Sequence, residues 1–314
     1  MNEILIKMLN KLITVIGMLM ITSSAISQPD LNNQRSVADS LMAEGEIPAA
    51  IVEYRGLYGK NPSDQQNLYN YARALSINRQ IDSCFYFLNI AIELDTSIRP
   101  LIEPDFLTIR QDKRWQEFED NLIVLLNIKL KSPIKNIDYA RALWKLRTYD
   151  QAYFNEVAIA GRKLGFKSSV VEALWRSKFF IQQISQNELE ALIEKYGWPR
   201  IKDVGAEAAM AAYLTIMHSN ADLQNKYMST IKQICEEKEL PWVRYANIYD
   251  RCCFNDNRPQ RYGTHTAYNE KTNSQELYPL EDEIKVDEWR KELGLEPLVE
   301  YLARMGIKYE PKMK

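Results

Sequence analysis

The chain repeats itself at a step of 34 residues near its N-terminus, and this repeat limits its possible folds more than any other feature. Within each copy, apolar residues recur at three- and four-residue steps in two consecutive runs, which is the spacing of one helix face. Repeats of this length are supersecondary units that stack on one another. The sequence therefore predicts two helical hairpins in series. The aligned positions are Val37 with Tyr71, Ala38 with Ala72, Leu41 with Leu75, Ile47 with Ile81, Ala50 with Cys84, Tyr54 with Leu88, and Tyr58 with Ile92.

These hairpins resemble the tetratricopeptide repeat. The second copy departs from that pattern, because Arg79 and Thr96 stand where Gly and Pro are usual. The resemblance is therefore to a degenerate repeat. The positions of the first copy that match the repeat are Gly45, Ile47, Ala50, Tyr54, Tyr58 and Pro62.

The segment from Asp105 to Phe118 looks like the tail that closes such arrays, and we expect it to continue as a helix to about Leu130. Residues 28–130 are thus predicted to form a tetratricopeptide-like array with a capping helix. The resemblance implies a groove that binds a protein or peptide. A purely structural packing role fits the same residues, since fold alone does not give function.

The first 27 residues have the pattern of a signal peptide. Lys7 and Lys11 precede an apolar run, Leu12 to Ile21, that is too short for a stable membrane span. Small residues follow it, and Ala25-x-Ser27 predicts cleavage before Gln28. We expect export across the bacterial inner membrane, a periplasmic or secreted protein, and no membrane span after cleavage. The alternative is a retained N-terminal anchor.

Charge and cysteine content narrow the function classes further. The 40 basic and 42 acidic residues give a net charge of -2, so composition shows no footprint of nucleic-acid or anionic-membrane binding. Export makes the cysteines candidates for oxidation, and Cys235 is near enough in sequence to Cys252 and Cys253 for one of them to pair with it. The alternative is buried free thiols that pack as small apolar groups.

A second, helical domain is predicted for residues 131–314, because Ser132-Pro133 interrupts the helical pattern. We expect a helix over about 168–183 and a separate helix that begins after Asn187 as N-cap. The polar stretch 255–279 is long for a connection, and Arg261–Tyr268 and Ser274–Leu280 have the pattern of a hairpin. The fold class is thus mainly α: a short array of helical hairpins, then a helical domain with a long polar loop or small β-hairpin.

Several short motifs in this second half occur together in a fixed order. In this order they are similar to an uncharacterised bacterial family, domain of unknown function 6624, over about Ile137 to Gly306. His265 stands where that family often has Gln, and the resemblance implies no established activity. The motifs are Asp150-Gln151, Tyr196-Gly197-Trp198-Pro199, Val204-Gly205, His218 with Asp222 and Gln224, Asp250-Arg251, Pro259-Gln260-x-Tyr262-Gly263-Thr264, Glu281-Asp282, Val286-Asp287-Glu288, Arg290, and Gly294-Leu295-x-Pro297-Leu298.

Both histidines of the protein lie in this domain, and they suggest an acid/base site. His218 is the candidate proton carrier, with Asp250 or Glu281 to orient a histidine and Arg251 to hold an anionic group. The remaining candidate ligand-binding residues share one polar loop and its flank: Gln260, Tyr262, Gly263, Thr264, His265 and Glu281.

The same polar residues also fit a network that only shapes the loop. His218 and Asp222 are four apart, but a cap at Ser219-Asn220 would break the helix between them, so we predict no metal site. We also predict no cofactor, because no nucleotide-binding or serine-hydrolase motif is present.

Two functions remain open at this level. The first is an exported interaction protein that binds a protein, a peptide or another ligand. The second is an enzyme of unknown class in the C-terminal domain, with a hydrolase-like or transferase-like acid/base site.

Overall fold

The computed structural model describes residues 28–130, 133–269 and 274–310. The expected leader, the first residue of Ser132-Pro133 and most of the expected hairpin turn lie outside these residues. The described chain is mainly helical, with one small two-stranded antiparallel sheet, which confirms the predicted fold class. None of its helices combines the length and apolar character that a membrane span requires. The chain divides into two compact units between Leu94 and Asp95.

The described part of the first unit, residues 28–94, consists of four helices in series. They are α1 (Gln28–Ala43), α2 (Ile47–Lys60), α3 (Gln65–Ile77) and α4 (Ile81–Leu94). Helix α2 packs against α1 and α3, and α4 packs against α3. The 34-residue step of the sequence reappears in the helix bounds, since α2 and α4 begin and end at positions that are 34 residues apart.

The turns inside the two hairpins have the same backbone conformation. Gly45 has a φ of 76°, and Arg79, 34 residues later, has a φ of 58°. The amides of Gly45 and Arg79 donate to Met42 and Ser76, and the next amides donate to Leu41 and Leu75. Arg79 therefore adopts the left-handed conformation for which Gly is the usual residue.

The segment from Asp95 to Lys129 belongs to the second unit. It contains a short helix α5 (Arg99–Ile102), two 3₁₀ turns and helix α6 (Arg114–Lys129). Helix α5 packs against the later helix Ile137–Gln151, and Leu101, Phe106 and Ile109 are fully buried. The compact units thus divide before this segment, whereas the domain boundary predicted from the sequence lies after it, at 130/131.

Three helices build the centre of the second unit: α7 (Ile137–Gln151), α9 (Ser169–Tyr196) and α11 (Ala206–Met217). Between them lie α8 (Phe154–Leu164) and the short α10 (Ile201–Val204). Helix α9 is continuous, so the predicted break at Asn187 is wrong. The Asn187 side chain is exposed, and it lies inside the helix without capping it.

The C-terminal part adds α12 (Ala221–Glu236), α13 (Trp242–Asn255), a hairpin and two short helices. Strands β1 (Thr266–Asn269) and β2 (Ser274–Leu277) pair antiparallel, which confirms the predicted hairpin with shorter strands. Helices α14 (Val286–Glu292) and α15 (Leu298–Arg304) follow, and they bury Val286, Leu298 and Leu302 together.

Replacement of Arg79 by Gly is expected to stabilise the protein. The left-handed conformation destabilises a non-glycine residue by about 1–2 kcal/mol. Gly avoids this strain, and its greater conformational freedom in the unfolded chain offsets only part of the stabilisation. We expect Arg79→Gly to raise the free energy of unfolding by about 1 kcal/mol in a urea titration followed by circular dichroism. Gly45→Ala should lower it by a similar amount.

Asn78→Gly is the matched control, because Asn78 has an ordinary φ of -79° beside Arg79. That variant should be neutral or destabilised. Equal stabilisation by the Arg79 and Asn78 variants would contradict the backbone explanation.

Candidate functional site

Asp150 and His218 form a hydrogen-bonded pair at the point where α7 and α11 end. His218 Nδ1 lies 2.5 Å from Asp150 Oδ1. Only 4% of the Asp150 side chain is exposed, whereas 36% of the His218 side chain is exposed. The pair thus joins a buried carboxylate to a histidine that reaches solvent.

The charge of Asp150 is held by its neighbours. Burial acts to raise the pKa of its carboxyl, but His218, the Gln151 hydrogen bond and the charge of Lys178 together keep the pKa below its ordinary value. Gln151 Nε2 donates to Asp150 Oδ2 at 2.7 Å, and Arg147 Nη1 lies 3.6 Å from the same oxygen. Asp150 is therefore ionised at neutral pH, and Nδ1 of His218 is the donor in the pair.

Lys178 of α9 completes the buried surroundings of Asp150. Its side chain is almost fully buried, and Nζ donates to the backbone carbonyl of Asp150 at 2.5 Å. Nζ also lies 4.0 Å from the centroid of the Phe154 ring. Burial lowers the pKa of Lys178, and Asp150 opposes that shift. A cation at the C-terminal end of α7 satisfies a carbonyl that has no partner within the helix.

The turn between α11 and α12 fixes the position of His218. His218 is the C-cap of α11, and its amide donates to Leu214. Asn220 caps α12 through its side chain, which confirms the predicted cap. Gln224 is buried and donates to the carbonyls of Met217 and Ser219, on either side of His218.

Asp250 has a different role from the one expected. It is fully buried in α13, and its carboxylate accepts hydrogen bonds from the amides of Arg261, Tyr262 and Thr264 and from the Thr264 hydroxyl, all at 2.8–3.0 Å. Burial raises the pKa of Asp250, while these hydrogen bonds act to lower it. Asp250 thus binds the polar loop, whereas the carboxylate that contacts His218 is Asp150.

The loop over residues 260–265, called the 260–265 loop below, is held from several sides. Gln260 is fully buried: its Nε2 donates to the carbonyls of His265 and Tyr278, and its Oε1 accepts from the amide of His265. Buried Arg290 donates to the carbonyl of Tyr262 at 2.5 Å. Gly263 has a φ of 68°, and a Cβ there would lie 2.6 Å from a methyl of Leu298. Glycine is therefore required at position 263, because φ is positive there and because a Cβ would clash with Leu298.

The other predicted site residues lie around this loop. Glu281 accepts two hydrogen bonds from Arg261, which lower the pKa of Glu281. The His265 ring packs against Phe254 at 4.2 Å between centroids, and burial and the charge of Arg251 lower its pKa. Glu281 is thus paired with Arg261, and the carboxylate that contacts His218 is Asp150.

The described residues contain no cluster of three or more His, Cys, Asp or Glu side chains placed to hold a metal ion. Asp222 lies in the first turn of α12, beyond the turn that ends α11 at His218. The four cysteines are buried and free, and burial raises the pKa of Cys252 to about 11. These thiols are therefore poor nucleophiles.

A family model matches residues 138–314, and its description is a family of unknown function, DUF6624. The chain belongs to this family. The match begins one residue inside α7, as the sequence motifs predicted, and confirms the resemblance of the C-terminal half. No curated protein and no solved structure matches the chain significantly.

The pair joins two motifs of the DUF6624 family that lie far apart in sequence. Asp150 comes from the motif Asp150-Gln151, and His218 comes from the later motif. Another motif, Tyr196-Gly197-Trp198-Pro199, lines a depression of about 570 Å³. There the Tyr139 ring stacks on Tyr196 at 4.7 Å, and the Tyr139 hydroxyl donates to the carbonyl of Gly197. The motifs of the DUF6624 domain thus serve both the pair and the packing of helix ends.

Asp250→Asn is expected to destabilise the domain strongly. An amide nitrogen would face amide donors in a fully buried site, so at least one donor would lose its acceptor. We expect a loss of about 3 kcal/mol in the free energy of unfolding, measured by urea titration. Trypsin cleavage after Arg258 or Arg261 should accelerate as the loop is released.

Asp256→Asn is the matched control, because this carboxylate is exposed and pairs with Arg258. It should change stability by less than about 0.5 kcal/mol. If both variants unfold at the same urea concentration, Asp250 does not hold the loop.

Proposed function

We propose that the DUF6624 domain is an enzyme in which His218 transfers a proton and Asp150 orients it. The supporting observation is the 2.5 Å contact between a buried carboxylate and the Nδ1 of a histidine that reaches solvent. With Nδ1 engaged, Nε2 is the ring atom that faces a bound substrate. This is the arrangement in which a neutral imidazole acts as general base and then as general acid.

Asp150 stabilises both states of the cycle. Its lowered pKa keeps it ionised, so it holds the proton on Nδ1 and leaves Nε2 as the acceptor. When Nε2 takes a proton from water or from a substrate hydroxyl, the imidazolium lies beside a carboxylate of low solvent exposure, where the attraction is stronger than in water. The same proton is then available for a leaving group.

Arg147 is the cation that we assign to the substrate in place of Arg251. Its Nη1 lies 3.6 Å from Asp150 Oδ2, and 23% of its side chain is exposed. A guanidinium in this position can hold an anionic group or a developing oxyanion beside His218. The pair and Arg147 together support a hydrolase-like or transferase-like reaction.

The test is a panel of ester, phosphoester, glycoside and peptide substrates with the wild-type protein and three variants. We expect one class to be turned over, with the rate about 10²–10⁴-fold lower in His218→Ala. Asp150→Asn should lower the rate as well, because the Asn amide group does not hold the same tautomer. The exposed Asp256→Asn variant should keep the wild-type rate.

A second readout does not depend on finding the substrate. The protein has two histidines, so ¹⁵N imidazole spectra contain two sets of signals, and the set lost in the His218→Ala variant belongs to His218. We expect the Nδ1–H tautomer in the wild type and a tautomer mixture in Asp150→Asn. An Nε2–H tautomer at neutral pH, or turnover that survives His218→Ala, would refute the proposal.

We also propose that the protein is exported and is periplasmic or secreted, on the support of the leader pattern in residues 1–27. In this setting the first unit would act as a tetratricopeptide-like module that binds a protein or peptide.

Polar side chains on the first helix of each hairpin support peptide binding by this module. Asp39 of α1 accepts from Asn70 of α3 at 2.9 Å, and Gln66 and Arg73 continue the polar row on α3.

Peptide binding by this row is tested on a peptide array with a double variant, Gln66→Ala/Arg73→Ala. Loss of the side chains that reach a bound backbone should weaken binding of any retained peptide at least about tenfold. Glu93→Ala, an exposed change on α4, is the control and should bind as the wild type does. Equal binding by all three proteins would contradict a role for this row.

A further inference from the structure

Large apolar side chains are exposed together on one surface of the DUF6624 domain. They lie on the turn between α8 and α9 and on the N-terminal half of α9, and we call them the α8–α9 surface. Phe166, Phe180 and Phe179 expose 67%, 65% and 59% of their area. Contiguous exposed patches of this kind mark interaction sites. The exposed members of the surface are Leu164, Phe166, Val170, Phe179 and Phe180, and the half-buried Trp175 lines the groove between Phe166 and Phe179.

The aromatic rings of this surface are held in place although they are exposed. The Phe166 ring lies against Gly161, where a Cβ would be only 2.3 Å from the ring. Trp175 stacks on Phe179 at 5.8 Å and meets the edge of Phe154 at 6.2 Å. A groove of about 500 Å³ runs between Phe166 and Phe179. These ring contacts hold the aromatic side chains at the surface, and the missing side chain at Gly161 leaves room for the Phe166 ring.

Basic residues surround these rings. Arg162, Lys163, Lys167 and Arg176 are exposed within the segment, and Glu172 is its only acidic residue. Arg176 pairs with Glu172. The whole chain has a net charge of -2, so this positive local balance is hidden in the overall composition.

We propose that the α8–α9 surface binds the DUF6624 domain to an anionic phospholipid bilayer. Phe166 lies in the turn that follows α8, every residue from 162 to 167 is exposed, and Lys163 and Lys167 lie on either side of Phe166 in the chain. Aromatic rings insert between headgroups and acyl chains, while lysine and arginine bind anionic headgroups. Charge complementarity thus selects a lipid surface over an apolar protein partner.

The experiment measures vesicle binding of the full chain. Vesicles of phosphatidylcholine alone are compared with vesicles that contain phosphatidylglycerol, in a sedimentation assay at low and high salt. We expect binding that requires phosphatidylglycerol and weakens as salt screens the charges. Phe179→Ser/Phe180→Ser should weaken it at least about tenfold, and Lys167→Glu about fivefold, without disturbing packing.

The matched control is Val124→Ser/Ile128→Ser, which removes apolar side chains that are 59% and 76% exposed on α6. It should bind vesicles as the wild type does. Circular dichroism of each variant establishes that it is folded before its binding is compared.

A second measurement separates this surface from the apolar leader, which contains no tryptophan. Lipids brominated in their acyl chains quench tryptophans that enter the bilayer. We expect quenching of the wild type and little quenching of Trp175→Phe, although this variant still sediments with vesicles.

Three results would overturn the proposal. The first is equal binding to both kinds of vesicle, and the second is unchanged binding of Phe179→Ser/Phe180→Ser. The third is self-association in analytical ultracentrifugation that the same variant abolishes, without lipid binding, since it would assign the surface to a second copy of the chain.

Discussion

The close packing of α7 against α11 is the constraint on which the proposed chemistry depends. Ala208, Ala211 and Ala212 on α11 have no exposed area, and such small side chains allow the α7 backbone to approach closely. Because both helices end at the same place, the last turn of α7 brings Asp150 to His218, the C-cap of α11. The proposed catalytic pair thus forms because these two helices end side by side. Lys178 from α9 and Gln224 from α12 then satisfy the backbone carbonyls that those ends leave open.

The two buried carboxylates Asp150 and Asp250 have different roles, and these roles follow from the groups that each carboxylate binds. Asp250 accepts only from backbone amides and one hydroxyl, so every bond it makes holds the 260–265 loop in one conformation. Asp150 is bound to a titratable ring that reaches solvent, so its charge acts on a group that can exchange protons. Burial alone does not distinguish them, since both are almost inaccessible. The two carboxylates differ in the groups that they bind. Because Asp250 binds only backbone amides and one hydroxyl, the polar loop fits a structural network better than a reactive site.

Most helices follow from the sequence pattern, but the contact between Asp150 and His218 does not. The 34-residue step predicted the four helices of the first unit, and it even placed Arg79 where the backbone is left-handed. The sequence contains His218 and the motif Asp150-Gln151 as separate features, and it predicts Asp250 or Glu281 as the carboxylate that orients a histidine. Asp150 lies 68 residues before His218, and only helix packing brings them together. Overall charge likewise concealed the α8–α9 surface, because opposite charges elsewhere cancel its basic residues.

The sequence by itself determined the helical periodicity, the repeat, the family and the identity of the residues able to carry protons, because these follow from local spacing and side-chain chemistry. It did not determine the single helix α9, since Asn187 is as compatible with an exposed helix face as with an N-cap. Tertiary structure decided which side chains are buried, which hydrogen bonds they make, and which rings remain in solvent. The physical reason is that burial and pairing depend on contacts between helices distant in sequence, and those contacts change both the pKa of a carboxylate and its role.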